Sequence, residues 1–342
     1  MPDEIATEET DRGIFKKVGI KLLKIFVKKK VIRPKMRELA INLENKQLAF
    51  RGNDFEQVKY GILCHCLPDF ELEAVKELDS SKRHLLFLHG TGSSTKSSFG
   101  DLKDSEDWKN YTSEYGLNQI LAFQHRTLST SPLENVLDLV SQLPDEIELD
   151  LISQSRGGLV SDVFARFCTD PRGFDTAELG VLVDHDRDRD VEVIKELQSL
   201  MESKKITIHK VVRVASPANG TTLASKRLNL FLNVTFNLIG LATGQAGNPI
   251  FITFKEMIME AVACKDDVDV LPGLEAMNPK SPFIKALNYQ GSEIVIQSPL
   301  YVVGGSSELS LRFKSLVVLV GKFFFLDKND LVVDTESMKW GQ

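Results

Sequence analysis

Cysteine is scarce: Cys64, Cys66, Cys168 and Cys264 are the only four in 342 residues. That is too few for a disulfide framework and fits a reducing, cytosolic compartment. There is no basic excess either. The 42 Lys and Arg against 48 Asp and Glu leave a net charge of −6, which argues against a nucleic-acid binder. Long apolar runs are missing, since LNLFLNVTFNLIGLA and SLVVLVGKFFFL are too short or too interrupted to span a bilayer. The opening, MPDEIATEET, is acidic where a secretory leader would be basic and then apolar. Repeats and low-complexity tracts are absent. The 42% hydrophobic and 26% charged content suits one large α/β domain or two ordinary ones.

One segment departs from the acidic balance. Residues 14–37 hold ten Lys and Arg and no acid. On a helical wheel Ile14, Phe15, Val18, Leu22, Ile25 and Phe26 share a face opposite Lys17, Lys21, Lys24 and Lys28. Such a basic amphipathic helix suits an anionic membrane surface or a protein partner. It equally suits an arm (residues 1–38) packed on its own domain.

From Leu39 the text is expected to turn to strands: ELAINLENKQLAF, VKYGILCHCLPDF and HLLFLHG, then NQILAFQH, ELDLISQS, KITIHKVVRVASP and SPLYVVGG. Helical segments such as SPLENVLDLVSQLP and LVSDVFARFC separate several of them. That alternation implies βαβ units and a mostly parallel sheet flanked by helices. Residues 39–222 and 291–342 then form the core, with 223–290 an apolar helical cap inserted between them.

Two motifs carry chemistry. HGTGSSTKSS, residues 89–98, follows a buried-strand run. As a P-loop it lacks the second glycine, Thr95 standing in its place, and no acid ends a later strand to hold magnesium. As an oxyanion loop, His89-Gly90-Thr91 would aim a backbone N–H at a developing negative charge. The strand ELDLI then runs into SQSRGG and a helix, the small-x-Ser-x-Gly elbow that exposes a strained nucleophile. Ser155 is the candidate nucleophile, Gly157 the small flank, and the N–H groups of Thr91 and Arg156 the candidate oxyanion donors. A serine-glycine turn without chemistry is the competing reading.

HGTG, SQSRGG, VASPANGTTLAS and FLDKNDLVVDTESM occur in an order that resembles α/β-hydrolases of the lipase and esterase kind over roughly residues 39–342. AFQHRTLSTSPLENVLDL, RVASPANGTTLASKRLN, LPGLEAMNP and NDLVVDTESM resemble more narrowly a lipase-like domain of bacterial multidomain proteins. Those proteins often also carry a caspase-like CHAT peptidase domain. The resemblance implies Asp330, in the NDLVV turn, as the acid of a triad, with Asp327 and Asp334 as rivals. It also implies a histidine some tens of residues further on, and none follows Asp330 in this sequence.

All six histidines lie upstream. His65 and His209 sit in strand-like runs, and His84 precedes a strand. His89 belongs to the oxyanion loop, and His125 is expected to line a pocket or stack on substrate. His185, in DHDRDRD, is expected in a solvated mixed-charge loop. Cys64-His65-Cys66 does not make a metal site, and no cofactor is expected. Two functions follow as expectations. One is a serine hydrolase of ester or lipid-like small molecules. The other is a catalytically silent hydrolase-fold module, binding a protein partner or fused domains within a larger signalling or defence protein. Surface contact of residues 14–37 with a membrane is compatible with either.

Overall fold

The computed structural model of the chain describes residues 33–50, 61–220 and 271–303. The basic segment (save 33–37), the apolar text of 223–270, and Asp327, Asp330 and Asp334 lie outside the described residues.

The strands are β1 (Gly61–Cys66), β2 (Leu72–Ala74), β3 (Arg83–Leu88), β4 (Ile120–His125), β5 (Glu146–Gln154), β6 (Lys205–Val214) and β7 (Leu300–Val303). Among the described residues they form one sheet in the order β2-β1-β4-β3-β5-β6-β7. Strands β4, β3, β5, β6 and β7 run parallel, while β1 lies antiparallel to both β2 and β4. Leu85 to Leu88 are fully buried, as a central parallel strand covered on both faces requires.

The helices are α1 (Arg33–Leu48), α2 (Thr95–Phe99), α3 (Glu106–Thr112), α4 (Pro132–Gln142), α5 (Gly157–Thr169), α6 (Thr176–Val183), α7 (Asp188–Met201), α8 (Pro272–Glu275) and α9 (Pro282–Leu287). Helix α4 starts where its chemistry says it should. Pro132 opens it, and Ser131 and Glu134 cap each other's backbone N–H reciprocally. One core cluster joins α4, α5 and α7 to β3, β5 and β6, and takes in Leu271, Leu274, Met277, Phe283 and Ile284. Residues 271–290, placed with the cap from sequence, therefore contribute directly to this core.

Two expectations are corrected. ELAINLENKQLAF is not a strand: its residues up to Leu48 are the body of α1, which also crosses the arm–core boundary drawn after residue 38. Among its described side chains, Ala40, Glu44, Asn45 and Leu48 are buried, a helical spacing whose core-facing stripe has a carboxylate at its centre. DHDRDRD is only partly surface. Arg187 and Asp190 are buried and pair at 2.5 Å, and Arg187 also meets Glu275 at 2.9 Å. Asp188 begins α7. His185, as expected, is exposed.

Candidate functional site

Parallel strands β3, β4, β5 and β6 end together, and the turns that follow them build the site. At the end of β5, Ser155 has φ +51°, a left-handed conformation that costs a non-glycine residue of order 1 kcal/mol. It is held there by its own N–H, which donates to Val214 O at 2.9 Å across the β5–β6 pair, while Gly158 N–H donates to Ser155 O at 2.9 Å. The backbone thus reverses in one residue from strand to helix α5. Close packing explains the glycines. A methyl group on Gly157 would lie 2.2 Å from Leu88 O, and one on Gly158 would lie 1.9 Å from Ser216 Oγ. Among the described residues the Ser155 hydroxyl has no hydrogen-bond partner.

The loop after β3 lies directly against this turn. A methyl group on Gly90 would come within 2.9 Å of Ser155 Cβ and 2.4 Å of Gln154 Oε1. His89 is fully buried. Its Nε2 accepts the N–H of His125 at 3.1 Å, which leaves Nδ1 protonated and facing Gly90 O at 3.1 Å. In a trans peptide the N–H opposes the C=O, so the bond to Gly90 O turns the Thr91 N–H the other way. The Thr91 hydroxyl contacts Met277 Sδ at 3.3 Å, and Gly92 N–H donates to Thr127 Oγ1 at 2.9 Å. Neither the Thr91 nor the Arg156 N–H has an acceptor among the described residues. Arg156 stands at the N-terminus of α5, where the helix dipole favours negative charge.

The electrostatics keep this region free of histidine charge. Burial pushes His89 down to about 3, an effect the nearby Arg156 reinforces. Burial, then His89 and Arg156, likewise hold His125 well below its ordinary value. The two rings stack at 4.1 Å between centroids. His125 Nδ1 donates to Phe123 O, and Nε2 is buried with no partner among the described residues. His125 is thus enclosed beneath the loops rather than open on a pocket. The Arg156 guanidinium is also fully buried, its Nε donating to Gly273 O at 3.1 Å and its Nη2 to Thr130 O at 2.5 Å. Burial lowers it to about 10, so it stays cationic at neutral pH.

The remaining candidates fall elsewhere. Lys96, which a P-loop would aim at phosphate, forms an ion pair with Glu71 at the surface. His209 pairs with Glu148 at 3.0 Å, and His65 and His84 are buried in β1 and β3. Cys64 and Cys66 are buried, and burial raises both thiols, Cys66 to about 12. None of the six histidines hydrogen-bonds Ser155 among the described residues. Sequence reasoning did not find the side chains that reach into the loop after β3 from afar, Thr127, Met277 and Gln47. The fourfold spacing of Ala40, Glu44 and Leu48 was the signal for the helix that supplies the last of them.

A mostly parallel sheet in this order, with a left-handed serine between a central strand and the following helix, is an α/β-hydrolase fold. The chain belongs to the family described as "Domain of unknown function (DUF7379)", whose pattern matches residues 65–179 and 191–341. No curated protein matches it. Among solved structures it is similar to Bacillus licheniformis lipase BlEst2 in mature form, at 14% identity and a TM-score of 0.42 over 82% of this chain and 85% of that one. It is also similar to lipase 1 from Pelosinus fermentans, at 14% identity and 0.46 over 75% and 80%. Staphylococcus hyicus lipase gives 14% and 0.41 over 78% and 82%.

Proposed function

We propose that this chain is a serine hydrolase of carboxylic esters, with lipid-like acyl esters as its substrate class. The observation that carries the reading is Ser155 itself, left-handed and beneath a glycine loop, with no partner for its hydroxyl or for the two neighbouring amides among the described residues. In this reading Ser155 Oγ bonds to the acyl carbon and gives up its proton to a base. The carbonyl oxygen takes the negative charge and is met by the Thr91 and Arg156 N–H groups. Collapse expels the alcohol, which takes the proton back, and water then releases the acid from the acyl-serine. Asp330 orients the base, and the apolar text of 223–270 covers the acyl chain. Residues 14–37 then bring the enzyme to an anionic surface, an attraction that salt screens.

A second reading, a catalytically silent hydrolase-fold module of a larger bacterial signalling or defence protein, is favoured by one specific observation. No histidine reaches Ser155 among the described residues. Such a module would bind a protein partner or fused domains, a CHAT peptidase domain being the one its motifs suggest. Hydrolysis of p-nitrophenyl esters of graded chain length, with Ser155→Ala alongside, separates the two. Turnover above the variant supports the hydrolase, and equal background rates support the silent module.

A further inference from the structure

We propose that Glu44 and Gln47 of α1 are positioning residues for the loop that carries the Thr91 amide. The inference rests on the hydrolase reading above. Glu44 is 2% exposed, although a buried carboxylate is expensive unless its charge is met. Its carboxylate accepts the N–H groups of Thr127, Leu128 (2.7 Å) and Ser129 (3.1 Å), and the hydroxyl of Ser129 at 2.6 Å. Three successive amides turned toward one point make an anion nest. Here a side chain of α1 fills it, with charge-assisted bonds roughly twice as strong as neutral ones.

The constraint passes onward through Thr127. Its hydroxyl donates to Glu44 at 3.3 Å and accepts the Gly92 N–H at 2.9 Å. One helical turn along α1, Gln47 Nε2 donates to Gly92 O. Both polar groups of the Gly92 residue are therefore fixed, one by α1 and one by a residue that α1 holds. Gly92 has φ +58°, and glycine resists rotation out of such a conformation less than any other residue. The two bonds supply the rigidity that the residue lacks, immediately after Thr91. Asn45 Oδ1 takes two bonds from Arg126, at 3.0 and 2.7 Å, and fastens α1 to the same strand end. A helix that only covered the core would need apolar residues on this face, not Glu44 between Ala40 and Leu48.

The test uses the full chain, with Gln47→Leu and Glu44→Gln, and reads amide hydrogen exchange beside the rate of fluorophosphonate modification. For Gln47→Leu we expect exchange of the Gly92 amide to rise at least tenfold, with strand peptides of β3 and β5 unchanged. Modification of Ser155 should slow by about 10- to 100-fold, the scale of a small misplacement at a reacting centre. Unchanged exchange around Gly92, or an unchanged modification rate in a loosened loop, would overturn the proposal. If Glu44→Gln fails to fold, Gln47→Leu decides alone. If the wild-type chain takes no fluorophosphonate, the hydrolase reading fails, while the exchange result still decides whether α1 holds the loop.

Discussion

The turn after β5 and the loop after β3 face each other across Ser155, and their shapes have different sources. The turn is made by backbone bonds and by its own small residues. Strand pairing to Val214, helix-start bonds to Ser155 O and Arg156 O, and two glycines against Leu88 O and Ser216 fix it. The loop is held by side-chain bonds that reach three separate places, the end of β4, helix α1 and the segment after α8. His125 meets His89, Thr127 meets Gly92 N–H, Gln47 meets Gly92 O and Met277 meets Thr91. A strained residue held through backbone bonds keeps its geometry as long as the neighbouring strands and the helix stay packed. A glycine loop tied from a distance keeps its geometry only while every tie holds, so substitutions far away in sequence reach the candidate oxyanion donor.

That contrast is open to direct attack, and the largest effect should come from the turn. Gly157→Val puts a branched side chain where even a methyl group meets Leu88 O at 2.2 Å and His89 O at 2.7 Å. Backbone atoms cannot swing aside, so we expect a loss of about 3 kcal/mol or more in urea unfolding, or no folded protein. Acid should act through the loop histidine. The folded pKa of His89 lies near 3, below the ordinary 6.5. Between those values the unfolded chain binds a proton that the folded chain refuses. The stabilisation is complete above pH 6.5 and falls by about 1.4 kcal/mol per pH unit below it. Urea midpoints at pH 7, 6 and 5 measure this slope. It should lessen in His89→Asn, which keeps a donor for Gly90 O but does not titrate, the remainder coming from histidines such as His125 that burial also holds down.

Thr127→Val comes next. It removes the acceptor of Gly92 N–H and one donor to Glu44, at about 1–2 kcal/mol by thermal or urea unfolding. It should also slow fluorophosphonate modification, which a merely structural loss would not do. The smallest effect should be a gain. Ser155 and Ala215, at the ends of neighbouring strands β5 and β6, share the same left-handed φ, +51° and +52°. Ser155→Gly and Ala215→Gly should each stabilise by about 0.5–1 kcal/mol in urea unfolding through relief of that strain. Only the first should abolish covalent labelling.

The same division between backbone and side-chain bonds explains what the sequence makes legible. SQSRGG after an apolar strand reads directly as the turn, because the small residues that permit the close backbone approach lie within it. The strand–helix alternation from β3 to β7 is legible too. HGTG reads as a loop, but nothing in those four residues announces Thr127, Gln47 or Met277. Helix α1 is harder to read, since Glu44 interrupts the apolar stripe and weakens the fourfold signal of Ala40, Glu44 and Leu48. In DHDRDRD the charges of Arg187 and Asp190 suggest solvent, and only the Arg187 guanidinium, bridging Asp190 and Glu275, puts them inside.

The most direct test of Ser155 as an activated nucleophile is intact-mass detection of a fluorophosphonate adduct, with peptide mapping and Ser155→Ala as the control. The account predicts one adduct per chain, on Ser155 and absent from the variant. A folded chain that stays unlabelled, or is labelled equally in Ser155→Ala, would contradict it.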